Sequence, residues 1–126
     1  MTSAALRDFV RQRARYYCEY CQTAEWLTGL EGEVDHIIPR TNGGPTVAEN
    51  LCLACSSCNG NKHAKTHAID PDTGAKVELF HPRQQTWHEH FIWSEDGVRI
   101  LGLTPCGRAT ITALQMNHAL VVAARS

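Results

Sequence analysis

The sequence predicts an α+β fold: one domain over residues 1–126, with a helix first, a cysteine-bracketed core at about 17–66, and a β-hairpin plus helix extension at about 70–126. Three observations predict it. Cysteines fall in two short pairs, C-E-Y-C at Cys18 and Cys21 and C-S-S-C at Cys55 and Cys58. Between and after them run two β-favouring stretches, a turn-rich loop and a helix-favouring stretch, in the order strand, loop, strand, helix. A chain of 126 residues suggests a single domain whose core is modest, so a metal staple or partner subunit would add to it considerably.

Leu6, Val10, Ala14 and Tyr17 are spaced by three or four, which predicts an amphipathic helix over residues 4–17 with an arginine-rich outer face that includes Arg11 and Arg15. That helix leads into the first cysteine pair. EVDHII (residues 33–38) reads as a strand, TNGGP (41–45) as a turn-forming loop and NLCLAC (50–55) as the second strand. The stretch from Cys58 to Ile69 reads as a helix of two to three turns beginning at Asn59. Farther on, Asp72-Thr-Gly is a turn, VELF a short strand, and residues 87–93 and 97–103 flank the turn SEDG as a hairpin. Thr104 and Pro105 suit the N-cap and first position of a C-terminal helix, with Asn117 capping a last helical stretch.

The spacing C-x2-C-x33-C-x2-C supplies four sulfurs from two knuckles, the usual closed arrangement for structural Zn²⁺. Closing the long intervening segment costs little extra, because loop entropy grows only logarithmically. A redox reading predicts one C-x-x-C near a βαβ pattern, and here there are two without one. Cys52 and Cys106 are left over and read as small buried apolar residues. No stretch approaches the roughly 20 apolar residues of a membrane span, and the N-terminus lacks the apolar core of a secretory signal. The expectation is therefore cytoplasmic residence with reduced thiols.

The net charge of −1 hides an uneven distribution: the first 18 residues are basic, the next 17 hold Glu19, Glu25, Glu31, Glu33 and Asp35 with no base, and Arg40, Lys62 and Lys65 follow. Local basic surfaces of this kind suffice for a polyanion partner. Asp35 and His36 stand side by side in an otherwise apolar strand. Clamping the two knuckles together lays that strand over the start of the helix at Asn59, where a carboxylate, an imidazole and an amide would meet backbone N–H groups that favour a phosphate.

The run C-x2-C, DHIIPR-x2-GG, ENL, C-x2-C-N-x2-K, about residues 17–65, resembles the HNH endonuclease family in its four-cysteine form. The tail, with FHPR, W-x-E-H-F-x-W and GLTPxGRATI, is similar to that of small free-standing bacterial members. The resemblance implies a ββα-metal (His-Me finger) core and metal-dependent hydrolysis of DNA phosphodiester bonds. It makes His36 the general base, Asp35 and Asn59 the ligands of one catalytic Mg²⁺ or Mn²⁺, and Asn50 the residue that fixes the loop and so orients His36. Many members have histidine where this chain has Asn59, and asparagine shifts the site toward oxygen coordination. His63, four residues beyond Asn59, would share a helix face with it and is a candidate third ligand, a choice that would bring Ni²⁺ or Co²⁺ into play. Arg11, Arg15, Arg40, Lys62 and Lys65 are candidate contacts to the backbone of double-stranded, nicked or structured DNA, against the reading of each as a solvated surface charge.

A non-catalytic zinc-stapled nucleic-acid-binding module is the alternative; it would have no use for Asp35, His36 and Asn59 together. A zinc-binding interaction adaptor would rest on the aromatic segment 87–93. His88 and His90 are expected to share a strand face there, and His63 and His67 form an H-x3-H pair on the predicted helix. Monomer and dimer are both open.

Overall fold

Leu6, Val10 and Ala14 do face one another, on a helix (α1, Ala4–Arg13) whose N-cap Ser3 accepts the amide of Leu6. A computed structural model of the chain describes residues 2–126, in two units: one ends at Ala64 and the other runs from Lys65 to Ser126. The expected helix stops four residues early because Arg15 and Tyr16 adopt left-handed backbone, φ 54° and 63°, and turn the chain into the first knuckle. Tyr17 instead makes an isolated bridge to Ala24. A single helical turn that the sequence reading omitted, α2 (Glu25–Thr28), follows.

Strand β1 (Glu33–His36) pairs antiparallel with β2 (Leu51–Ala54) in the register Glu33↔Ala54 through His36↔Leu51. All four residues of β2 are buried. Leu51 and Leu53 pack with Val10 of α1, and Leu6, Ala14 and Val34 close the cluster. Burying each such side chain contributes about 1.5–3 kcal/mol, so α1 and the hairpin hold each other. The connection includes two 3₁₀ turns, Arg40–Asn42 and Ala48–Asn50. Gly44 is needed in it, since a Cβ there would sit 1.8 Å from the carbonyl oxygen of Ile38.

The following helix, α3 (Ser56–Lys62), corrects two expectations. It begins three residues before Asn59, because Cys55 is its N-cap and its sulfur accepts the amide of Cys58, so Asn59 lies inside the helix rather than at its start. It ends at Lys62, because His63 takes φ 47° and ψ −120°. The chain leaves the helical path after its C-cap His63 and His67 belongs to a strand, so the H-x3-H pair on one helix does not form.

In the second unit β3 (His67–Ile69) pairs with β4 (Lys76–Glu78), and β5 (Phe91–Trp93) with β6 (Ile100–Gly102). The predicted hairpin is present but shorter, because Trp87–His90 form a helical turn, α4. The turn stacks Trp87 on Phe91 with ring centroids 5.0 Å apart, a contact that four residues of extended chain could not make, and His88 and His90 consequently share no strand. Helix α5 (Pro105–Leu114) starts as expected, with Thr104 Oγ1 accepting the amide of Gly107. Helix α6 (Ala119–Arg125) is capped by His118, whose Nδ1 accepts from Val121, and not by Asn117, whose amide is spent on both backbone groups of Ile100. Arg108 grips Asp70 through two 2.9 Å bonds and holds its carboxyl well below the usual range. No helix among the described residues is long and apolar enough to cross a membrane.

Candidate active site and metal centre

The two knuckles converge. The sulfurs of Cys18, Cys21, Cys55 and Cys58 all lie within 4.8 Å of one another, and Cys21 and Cys55 are 3.8 Å apart. A tetrahedron with arms of about 2.3 Å has edges of about 3.8 Å, so the cluster has the dimensions and donor set of a closed zinc site. Burial holds the Cys18 thiol well above its ordinary range, whereas hydrogen bonds from Cys18, Cys55 and Cys58 draw Cys21 well below it. Four sulfurs at such distances cannot all ionise without a cation among them. Cys52 lies outside the cluster, fully buried, its thiol pushed far up by burial.

One face of β1 meets α3 in two polar rungs. On the first, Asn59 Nδ2 donates to Glu33 Oε2 at 2.7 Å. On the second, the Lys62 ammonium lies 3.1 Å from Asp35 Oδ2 and 3.3 Å from Oδ1, and donates to the carbonyl of His36 at 3.1 Å. Strand residues two apart and helix residues three apart each share a face, which sets the rungs side by side. Lys62 is only 1% exposed, so it is not the surface cation the sequence suggested. Asp35 is 5% exposed and its Oδ2 also accepts the hydroxyl of Tyr20 at 2.8 Å. Burial keeps the Tyr20 phenol protonated, its pKa well above the usual value, and hence a donor.

Those contacts bear on whether a cation fits. Asn59, with its nitrogen committed to Glu33, presents its amide oxygen, and Asp35 has lone pairs beyond those taken by Tyr20 and Lys62. The donor set is all oxygen, suited to a hard ion. An ion held by Asp35 would share that carboxylate with an ammonium. His63 is exposed and caps the C-terminus of α3, its amide donating to the carbonyl of Asn59 at 2.9 Å, one helical turn back.

At the end of β1 the side chain of His36 is half-buried, and its Nε2 lies 2.9 Å from Thr46 Oγ1. Burial, then the charge of Arg40, lower its pKa, so the ring is neutral at neutral pH. Asn50 is buried at the end of the second 3₁₀ turn. Its Oδ1 accepts the amide of Ile38, and its Nδ2 donates to the carbonyls of Ile38 and Pro45, each at about 3 Å. The loop leaving His36 is thereby tied back to the start of β2.

The other bases separate. Arg40 and Arg15 are exposed on the first unit, and Lys65 is exposed at the start of the second. Arg11 is engaged by Glu25 at 3.0 Å and is mostly covered, so it braces α1 against α2 instead of standing free for a ligand. Sequence reading missed Tyr20, Glu33 and Thr46 as partners of the polar groups. The alternation of Glu33 and Asp35 along one strand, facing positions 59 and 62 of a helix, was the available signal.

Residues 18–65 match the family model described as HNH endonuclease. The chain is also 39% identical over 59 residues to the CRISPR-associated endonuclease Cas9 of Corynebacterium diphtheriae (strain ATCC 700971 / NCTC 13129 / Biotype gravis). That match covers 46% of this chain and 5% of the relative, so the chain spans a small fraction of the relative's length.

Proposed function

We propose that this protein is a metal-dependent endonuclease that hydrolyses DNA phosphodiester bonds, with β1, β2 and α3 serving as a ββα-metal core and a structural Zn²⁺ joining its knuckles. The observation that carries the reading is a neutral, partly exposed imidazole at the end of β1, adjoining a buried carboxylate, inside the stretch that matches the family. Phosphodiester hydrolysis at neutral pH needs a base that is unprotonated yet able to take a proton, and His36 meets both conditions. Its Nδ1 makes no hydrogen bond among the described residues, so one ring nitrogen is uncommitted.

Asp35 and Asn59 would hold the catalytic divalent ion, Mg²⁺ or Mn²⁺, through a carboxylate oxygen and an amide oxygen. When bound, such an ion neutralises charge on the scissile phosphate and the departing oxygen. The protein's own part is to fix the donors: Glu33 turns the amide of Asn59, while Tyr20 and Lys62 hold Asp35. Arg40, with Arg15 and Lys65, would neutralise backbone phosphates.

One observation favours a second reading, a zinc-stapled nucleic-acid-binding module without catalysis: Asp35 already carries an ammonium partner. Supercoiled plasmid separates the two. The purified protein should nick it with Mg²⁺ or Mn²⁺ and stop when the ion is withheld. His36→Ala should keep its zinc and lose about 10²- to 10⁴-fold in rate. A His36→Ala protein that cuts like wild type refutes the nuclease assignment; a wild type that binds plasmid and never nicks it supports the binding module.

A further inference from the structure

An imidazole acting as a base has two nitrogens to assign. One must offer its lone pair to water, and the other must be held so that the ring cannot flip or change tautomer. In His36 the held nitrogen is Nε2, 2.9 Å from the hydroxyl of Thr46, ten residues farther along the chain. That contact is the only hydrogen bond of either side chain among the described residues. The backbone carrying Thr46 is itself fixed, since Asn50 donates to the carbonyl of the preceding Pro45, and Gly44 lies flat against the carbonyl of Ile38. Asn50 also clamps both backbone groups of Ile38, two residues beyond His36. The base and its partner therefore stand on the two ends of one clamped loop.

A threonine hydroxyl can donate or accept. If it donated to Nε2, the proton of the neutral ring would lie on Nδ1 and no lone pair would face water. We propose that Thr46 is the positioning residue of this site: its oxygen accepts the Nε2–H of His36, which leaves Nδ1 as the nitrogen that receives the proton of the attacking water. This rests on the nuclease reading above, and adds which nitrogen works and what holds the other.

Thr46→Val keeps the branched shape and removes the acceptor; Thr46→Ser keeps the acceptor. Two measurements on zinc-loaded protein test the idea. In ¹H–¹⁵N spectra of the His36 ring at neutral pH, with no divalent ion added, wild type and Thr46→Ser should show an exchange-protected Nε2–H, and Thr46→Val should lose that signal to exchange. In plasmid nicking, Thr46→Val should lower kcat by about 10- to 100-fold, as expected for a misplaced catalytic group, with KM nearly unchanged. Thr46→Ser should recover most of that loss. A ring proton found on Nδ1, or a Thr46→Val protein with wild-type kcat, overturns the assignment while leaving the nuclease reading intact. A wild type that fails to nick with either metal overturns the nuclease reading and removes the catalytic purpose of Thr46, even where the ring spectrum shows the bond.

Discussion

Replacing Lys62 with methionine removes an ammonium and keeps most of its aliphatic stem, so the change isolates charge from packing. The ammonium lies 3.1 Å from Asp35 Oδ2, with both side chains almost wholly covered, 1% and 6% exposed. At an effective dielectric of about 20, two unit charges at about 3.1 Å attract by about 5 kcal/mol. What the variant loses is the part of this not already offset by desolvating the lysine, plus the cost of a buried carboxylate left with only the Tyr20 hydroxyl and a distant Cys52 thiol. Breaking one side of such a pair costs about 3–5 kcal/mol, and that is the expected destabilisation. Adding Asp35→Asn should restore much of it, because a neutral amide still accepts from Tyr20, giving a coupling of about 2–3 kcal/mol. Urea unfolding followed by far-UV circular dichroism, and in parallel by release of zinc to a chelating dye, measures this; the second signal reports the first unit alone. A Lys62→Met cost below about 1 kcal/mol, or strict additivity with Asp35→Asn, would refute the claim that the ammonium is locked onto Asp35.

The cysteine cluster should hold about one Zn²⁺ per chain, and Cys55→Ser should lose it and unfold the first unit, since structural zinc contributes about 10–16 kcal/mol against a typical total stability of about 5–15. Metal analysis and thermal melting check this, and a Cys55→Ser protein that melts like wild type would eliminate the staple. His36 has a pKa below its usual 6.5 because of burial and then Arg40, so its neutral form dominates from a pH below that value upward. The acid limb of the pH–rate profile should accordingly lie below about pH 6.5 in wild type and move to higher pH in Arg40→Gln. A limb that stays in place or moves down would remove Arg40 from the environment of the base.

The parts of the fold that were legible are those decided by residues near one another in sequence. Leu6, Val10 and Ala14 announce α1 because a three-and-four spacing can bury one face of a helix, and Thr104-Pro105 announces α5 because cap and first turn are local chemistry. The element ends were decided elsewhere. Arg15 and Tyr16 enter left-handed backbone just before the first knuckle, and Cys55 caps α3, so the knuckles set where both helices stop or start. The clustering of four cysteines was legible from spacing; that their sulfurs would also serve as caps was not.

Lys62 is the instructive misreading. Lysine is seldom buried without a partner, so a lysine on a short polar helix is reasonably read as solvated. The sequence nonetheless carried the partner: Glu33 and Asp35 recur at the period of a strand, Asn59 and Lys62 at that of a helix face, and in the folded unit Asn59 meets Glu33 while Lys62 meets Asp35. What selects this face is the price of the alternative. Asp35 is 5% exposed in the folded unit, and a covered carboxylate without a counter-charge would cost several kcal/mol, more than the rotamer entropy of about 2 kcal/mol that Lys62 gives up. The lysine is therefore drawn inward by the carboxylate, and its contact with the carbonyl of His36 ties the end of β1 to the same ammonium.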